Sequence, residues 1–246
     1  MPETSPTLVH YLPVATTALS IGFLAVLVRR ASRRGWPPHL VWWGIGVFFY
    51  GVGTALESSI TLFGNSETLT RLWYWAGAIL GGYPLATGSV YLLARRRTAH
   101  VLTAISLVIV IFASIMVMLT PLDPAAIEPH RPTGAAIEWQ WIRLLTPIIN
   151  GYAAVFLVGG AIWSTVRFAQ SSGNGLRALG TAFIAVGGIL PGIGGGMAKA
   201  GHVEALYIGE LVGLILIWIG FEACIRAPAP TLEPTPDSSA PLAGAA

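Results

Sequence analysis

The run Val101 to Thr120, VLTAISLVIVIFASIMVMLT, has no charged residue, and its polar groups are only Thr103, Ser106, Ser114 and Thr120. Coiled as a helix at about 1.5 Å per residue, it is long enough to cross about 30 Å of hydrocarbon. A helix apolar on almost every side has lipid as its solvent, so the rest of the chain is read for further spans. Three lie before it, at Leu8 to Val28, Leu40 to Ile60 and Leu72 to Ala94. Three follow, at Ile142 to Val166, Leu176 to Lys199 and Val203 to Ile225. The composition agrees: of 246 residues 54% are hydrophobic and 10% charged, against roughly 25% charged in a soluble domain. Mean hydropathy is +0.69. The expected fold is all-α, a polytopic membrane protein with seven transmembrane helices over residues 1–226. Residues 227–246, rich in Pro, Ala and Ser, are expected to form a disordered tail.

The charges order these spans. The net charge of +3 suggests a nucleic-acid binder until the basic residues are placed. With the N-terminus outside, Arg29, Arg30, Arg33, Arg34, Arg95, Arg96, Arg97, Arg167, Arg177 and Arg226 fall on the cytoplasmic side. Arg71, Arg131, Arg143 and Lys199 are left outside. That asymmetry is the positive-inside pattern and predicts an N-out, C-in topology, with no nucleic acid as partner. Glu3 precedes the first span and arginines follow it, the reverse of a cleaved signal peptide. The lone Cys224 offers neither an internal disulfide nor a metal cluster.

The first and last three spans match in order. Pro13 pairs with Pro147, Arg34 with Arg167, Gly44 with Gly180, and Trp75-Ala-Gly77-xxx-Gly81 with Tyr207-Ile-Gly209-xxx-Gly213. This predicts a 3+1+3 parallel repeat of residues 8–97 and 142–226, with helix 101–120 as linker; chance matching of Gly-rich helices is the alternative. Gly188, Gly192 and Gly196 form a small-residue stripe along the sixth span, with Gly77/Gly81 and Gly209/Gly213 on the third and seventh. These are expected to mark the tight interior, and Pro84 and Pro191 to kink their helices.

Ionisable residues at membrane depth are costly and point to function. Glu57 lies near the outer end of the second span, Arg71 and Tyr74 open the third, Arg143 opens the fifth and Lys199 closes the sixth. Glu210 is about 12 Å into the seventh, eight residues past His202, and Asn150 is an amide inside the fifth. One reading is an outward-facing polar cavity in which Glu57 and Glu210 face Arg71, Arg143 and Lys199 and bind a small polar solute, walled by Trp73, Trp75 and Tyr207. The other has the three bases snorkelling to water from helix ends. No paired histidines at depth suit a haem, no lysine sits in the seventh span for retinal, and no nucleophile, Walker or HExxH motif is present. Asp123, Glu128, His130 and Glu138 share a loop in which a solvated surface is expected over a metal site. Neither cofactor nor metal nor enzymatic activity is expected.

The stretch Gly51 to Leu93 places Glu57 at a helix end, Arg71-Leu72-Trp73-Tyr74 at the next helix start and Gly88-Ser89-Val90-Tyr91-Leu92-Leu93 at its close. It resembles a segment of bacterial seven-helix integral membrane proteins to which no activity is assigned. The resemblance implies a bacterial inner-membrane setting and transfers no mechanism. Two functions stay open: binding or transport of a small solute through an outward polar cavity, or a non-catalytic sensor or assembly subunit.

Overall fold

The structure, a computed structural model, describes residues 8–228; Glu3 and the tail from residue 229 lie outside the described residues. Seven helices are long and apolar enough to cross a membrane: α1 Leu8–Arg33, α2 Pro38–Phe63, α3 Glu67–Leu93, α4 Arg96–Leu119, α5 Gln140–Ala169, α6 Gly175–Lys199 and α7 Val203–Arg226. No strand occurs among the described residues, only isolated bridges in the loop between α4 and α5.

The breaks between helices follow local chemistry. Gly35 (φ 71°) and Trp36 (φ 56°) turn the chain left-handed, the Trp36 amide donating back to the Ala31 carbonyl at 2.9 Å. Pro37 and Pro38 then start α2 where a missing N–H costs nothing. At the other end of α2 comes Gly64, followed by Ser66, whose hydroxyl caps α3 by accepting from the Leu69 amide at 3.2 Å.

Six helices close into a ring. α1 packs on α2, α2 on α3, α3 on α5, α5 on α6 and α6 on α7; α7 returns to α1. α4 stands outside against α3 and α5. Buried residues make up 61% of the apolar window of α3, the highest share of the seven, against 22% in both α4 and α5, so α3 is the inner helix, and the contacts rather than burial set α4 outside the ring. The buried positions of α4, Ala99, Thr103, Val110, Ala113 and Val117, recur every three or four residues along one stripe. It is not bare of polar contact, since Ser106 meets the Tyr83 hydroxyl of α3 at 3.1 Å.

Two ring helices are irregular. α3 runs as α-helix through Trp73, widens to a π-helix over Tyr74–Ile79, breaks at residues 80–82 and resumes at Tyr83–Leu93. Pro84 therefore begins a new segment instead of kinking a continuous helix, at a position where its ring is tolerated. α5 carries a π-helix at Ala154–Gly159, with Pro147 about two turns before it. α6 keeps Pro191 within a continuous helix.

The tight glycine face of α6 differs from the expected stripe. A methyl at Gly180, Gly187 or Gly194 would come within 2.7, 2.6 and 2.6 Å of carbonyl oxygens of Gly220, Gly213 and Ala205 on α7. At Gly192 and Gly196 it would meet nothing within 4 Å, and at Gly188 it faces Val158 on α5. Residues 187 and 188 point about 100° apart on a helix, so the spacing-of-seven set faces α7 and the spacing-of-four set does not.

Residues 120–139 fold back over one end of the ring. Ala136 and Ile137 are buried beside Tyr74, and Asn65 binds the loop by donating to the Glu128 and Arg131 carbonyls at 3.0 and 3.3 Å. The Asn65 amide adds a bond to Pro129 O at 2.7 Å.

Candidate functional site

The seven candidate residues do not form one cavity. Arg71 turns outward and donates to the Val117, Met118 and Thr120 carbonyls at 2.7, 3.1 and 2.7 Å. A cation there satisfies the orphan carbonyls that end α4 and complements the helix dipole. Tyr74 is buried, its hydroxyl 2.7 Å from that of Thr146, and so joins α3 to α5. Arg143, Lys199 and Asn150 are exposed on the outer surface of the bundle. Among the described residues the ion pairs are Arg131–Glu128 and Arg226–Glu222, so the expected facing of the two deep acids by Arg71, Arg143 and Lys199 is not what forms. Bases at helix ends reach water or free carbonyls at lower cost than a buried carboxylate.

What the fold does bring together is Glu57 with Glu210. Gly53 and Glu57 lie one turn apart on α2, as Trp73 and Gly77 do on α3. A methyl at Gly53 would stand 3.3 Å from the Gly77 Cα, so the two backbones nearly touch there. That approach sets Trp73 against Glu57, and the indole Nε1 donates to Glu57 Oε1 at 2.7 Å. From the other side, the Tyr50 hydroxyl on α2 donates to the Glu210 backbone carbonyl at 2.8 Å, tying α2 to α7 two turns below Glu57. The two carboxyl groups then face one another within interaction range between α2 and α7.

This pair is closed off. Glu57 is 1% exposed; Glu210 is partly exposed as a residue, yet its Oε2 is sealed. Glu57 Oε2, Glu210 Oε2 and the Tyr207 hydroxyl are buried with no hydrogen-bond partner among the described residues. Two carboxylates without a cation at this depth repel strongly and lack donors. A single proton shared by the two carboxyl groups would turn one into a donor and relieve both faults.

Above the pair stands Tyr207, buried at 0% exposure, with the His10 ring edge-on at 5.9 Å between centroids. Beyond it lies the loop, where Arg131 holds Glu128 through both carboxylate oxygens at 2.7 and 2.8 Å and reaches the Gly201 carbonyl at 3.5 Å. The hydrogen-bonded Glu128 carboxylate raises the Arg131 guanidinium above its ordinary pKa, so the guanidinium stays charged. No group of three or more His, Cys, Asp or Glu suited to a metal occurs among the described residues, and Asp123 instead caps the turn at Pro124–Ala126.

Trp73 and Tyr207 were visible in the sequence only as aromatic walls; the structure makes Trp73 the direct hydrogen-bond donor to Glu57. Tyr50 was not anticipated. Its position two helical turns before Glu57, on the same face, is the signal that marks it. Comparison of the chain with protein-family models, with curated proteins and with solved structures returned no match.

Proposed function

We propose that this multi-pass membrane protein binds a proton, or a small cation in its place, between Glu57 and Glu210, and exchanges it with the face covered by the 120–139 loop. One observation carries the reading: two carboxyl groups from different helices meet in the bundle with sealed, unpartnered oxygens. Intramembrane acids facing the bundle interior typically mark ion or proton pathways. The pair also sits on the seam between α1–α3 and α5–α7, where relative movement of two triplets would change its access. The ring order supports a 3+1+3 parallel repeat, since exchanging the triplets exchanges the α1–α7 contact with the α5–α3 contact. On this reading the arginine-rich end faces the cytoplasm of a bacterial cell and the loop faces outward. The role is binding and transfer of a solute, without catalysis.

Proteoliposomes carrying a pH-sensitive dye, driven by a potassium diffusion potential, test it. Wild-type protein should acidify or alkalinise the lumen, and Glu210→Gln should reduce that flux at least tenfold, roughly the effect of removing one of two obligatory ligands. Difference infrared spectra should show a carboxylic-acid carbonyl band that Glu57→Gln and Glu210→Gln each diminish. The absence of both a flux and a titrating carboxyl band in wild-type protein would sink the proposal.

A further inference from the structure

The opposite end of the bundle carries a second feature, independent of the carboxyl pair. Trp43 and Glu57 stand fourteen residues apart on α2, about 21 Å along its axis. Here a cavity of about 340 Å³ opens between α2, α3, α5, α6 and α7, within the range of about 300–1,000 Å³ common for ligand sites. A neighbouring cavity of about 480 Å³ is lined by Arg29, Arg30, Arg33 and Arg34, and the two share Arg30, Arg34 and Ile225. The pair of cavities thus has an arginine mouth and a separate interior.

The interior has almost nothing to offer a polar ligand. Its wall hydroxyls are already used: Ser89 donates to Leu85 O at 3.2 Å, Ser164 to Gly160 O at 2.8 Å and Thr181 to Arg177 O at 3.0 Å. The remaining walls are mostly apolar, Leu40, Leu157, Phe168, Ile184 and Phe221 among them, with the half-buried His39 and Cys224 also on the lining, and the outer rim is the exposed Leu92 and Leu93. Two groups remain for a ligand: Trp43, 4% exposed, whose Nε1 is buried without a partner among the described residues, and His39, which lies within electrostatic range of Arg30 and Arg34 at the mouth. At the mouth, Arg34 is exposed and Arg30 half-buried, and neither is ion-paired with a carboxylate among the described residues; Glu222, which acts on Arg30 through space, is itself held by Arg226 at 3.2 Å. Arg177 is partly engaged, donating to Asn174 Oδ1 at 2.8 Å and to Pro228 O at 2.7 Å.

An apolar slot open to lipid and topped by unpaired guanidiniums at helix ends fits one class of ligand. We infer that it holds one anionic phospholipid, with the phosphate on Arg30 and Arg34 and an acyl chain in the cavity beside Trp43. Guanidinium pairs recognise phosphate by parallel N–H···O bonds, and basic pockets between membrane helices are headgroup sites.

The test is native mass spectrometry of the detergent-solubilised full chain, titrated with dioleoyl phosphatidylglycerol and, separately, with dioleoyl phosphatidylcholine of identical chains. One equivalent of phosphatidylglycerol should bind on the order of tenfold or more tightly than phosphatidylcholine, as about 1 kcal/mol per arginine implies for two arginines. Arg30→Gln with Arg34→Gln should abolish that preference, whereas Arg30→Lys with Arg34→Lys should keep most of it. Ser164→Phe, which fills the slot and leaves the arginines, should weaken both lipids. Should the double Gln variant fail to fold, the exposed Arg34→Gln alone decides, with a loss of about fivefold expected. Equal affinity for the two lipids, or an undiminished preference in the Gln variants, overturns the inference. Displacement of phosphatidylglycerol by inorganic phosphate alone also overturns it, since the site would then serve a free anion.

Discussion

The indole of Trp73 is the one hydrogen-bond donor to the side-chain carboxyl of Glu57 among the described residues, and that bond rests on the close pass of Gly53 and Gly77. A buried acceptor that loses its donor costs about 1–3 kcal/mol, with little water to replace it. Trp73→Phe keeps the ring and removes the N–H. It should lower thermal stability in detergent by that amount, read from the shift in unfolding midpoint. An unchanged midpoint would show that the bond contributes nothing. Arg71 shows how different an ionised residue can be a few positions away: it ends its reach on three carbonyls of α4, and its charge is spent on closing that helix.

For the helices, the α6–α7 pair is the tightest test of packing. Gly187 and Gly213 face each other so that a methyl on either would come within 2.6 to 2.7 Å of the other's carbonyl oxygen. Gly187→Ala should therefore destabilise by about 1–3 kcal/mol, because neither backbone can give way without parting the helices. Gly192→Ala, on the open face of the same helix, should fall within about 0.5 kcal/mol of wild type. Comparing the two by unfolding in mild detergent separates close packing from glycine content; equal losses would contradict the register described above. The π segments of α3 and α5 belong to the same scale. Each rotates the side chains beyond it relative to a straight α-helix, whereas Trp73 and Tyr74, at the start of the first, already diverge by the ordinary rotation of about 100° between neighbours, Tyr74 turning to Thr146 and Trp73 to Glu57.

At the scale of the molecule, the two ends of the ring differ in chemistry. One is covered by the Asn65-clasped loop above the carboxyl pair, and the other opens into arginine-lined cavities. The proposed orientation is checked by cysteine labelling of intact cells with a membrane-impermeant maleimide, in a Cys224→Ser background. Thr133→Cys in the loop should label from outside, and Ser171→Cys in the turn after α5 only after permeabilisation. The reverse pattern would invert the topology and place the arginine mouth outside.

The number, length and apolar character of the spans were legible in the sequence, because a helix in lipid must satisfy its backbone within itself and show hydrocarbon on its surface. Val101–Thr120 alone settled that for α4, and the structure places it outside the ring. Glu210 was likewise legible as a costly residue at depth, and Glu57 as an acid nearer the outer end of its span. Their partners were not. Whether Arg71 meets Glu57 or the end of α4, and whether residue 187 or 188 of α6 meets α7, depends on rotations of about 100° and on π-turns that hydropathy does not encode. Side-chain type and depth are properties of one chain segment, whereas pairing is a property of two, and only the packed ring determined which carboxyl faces which.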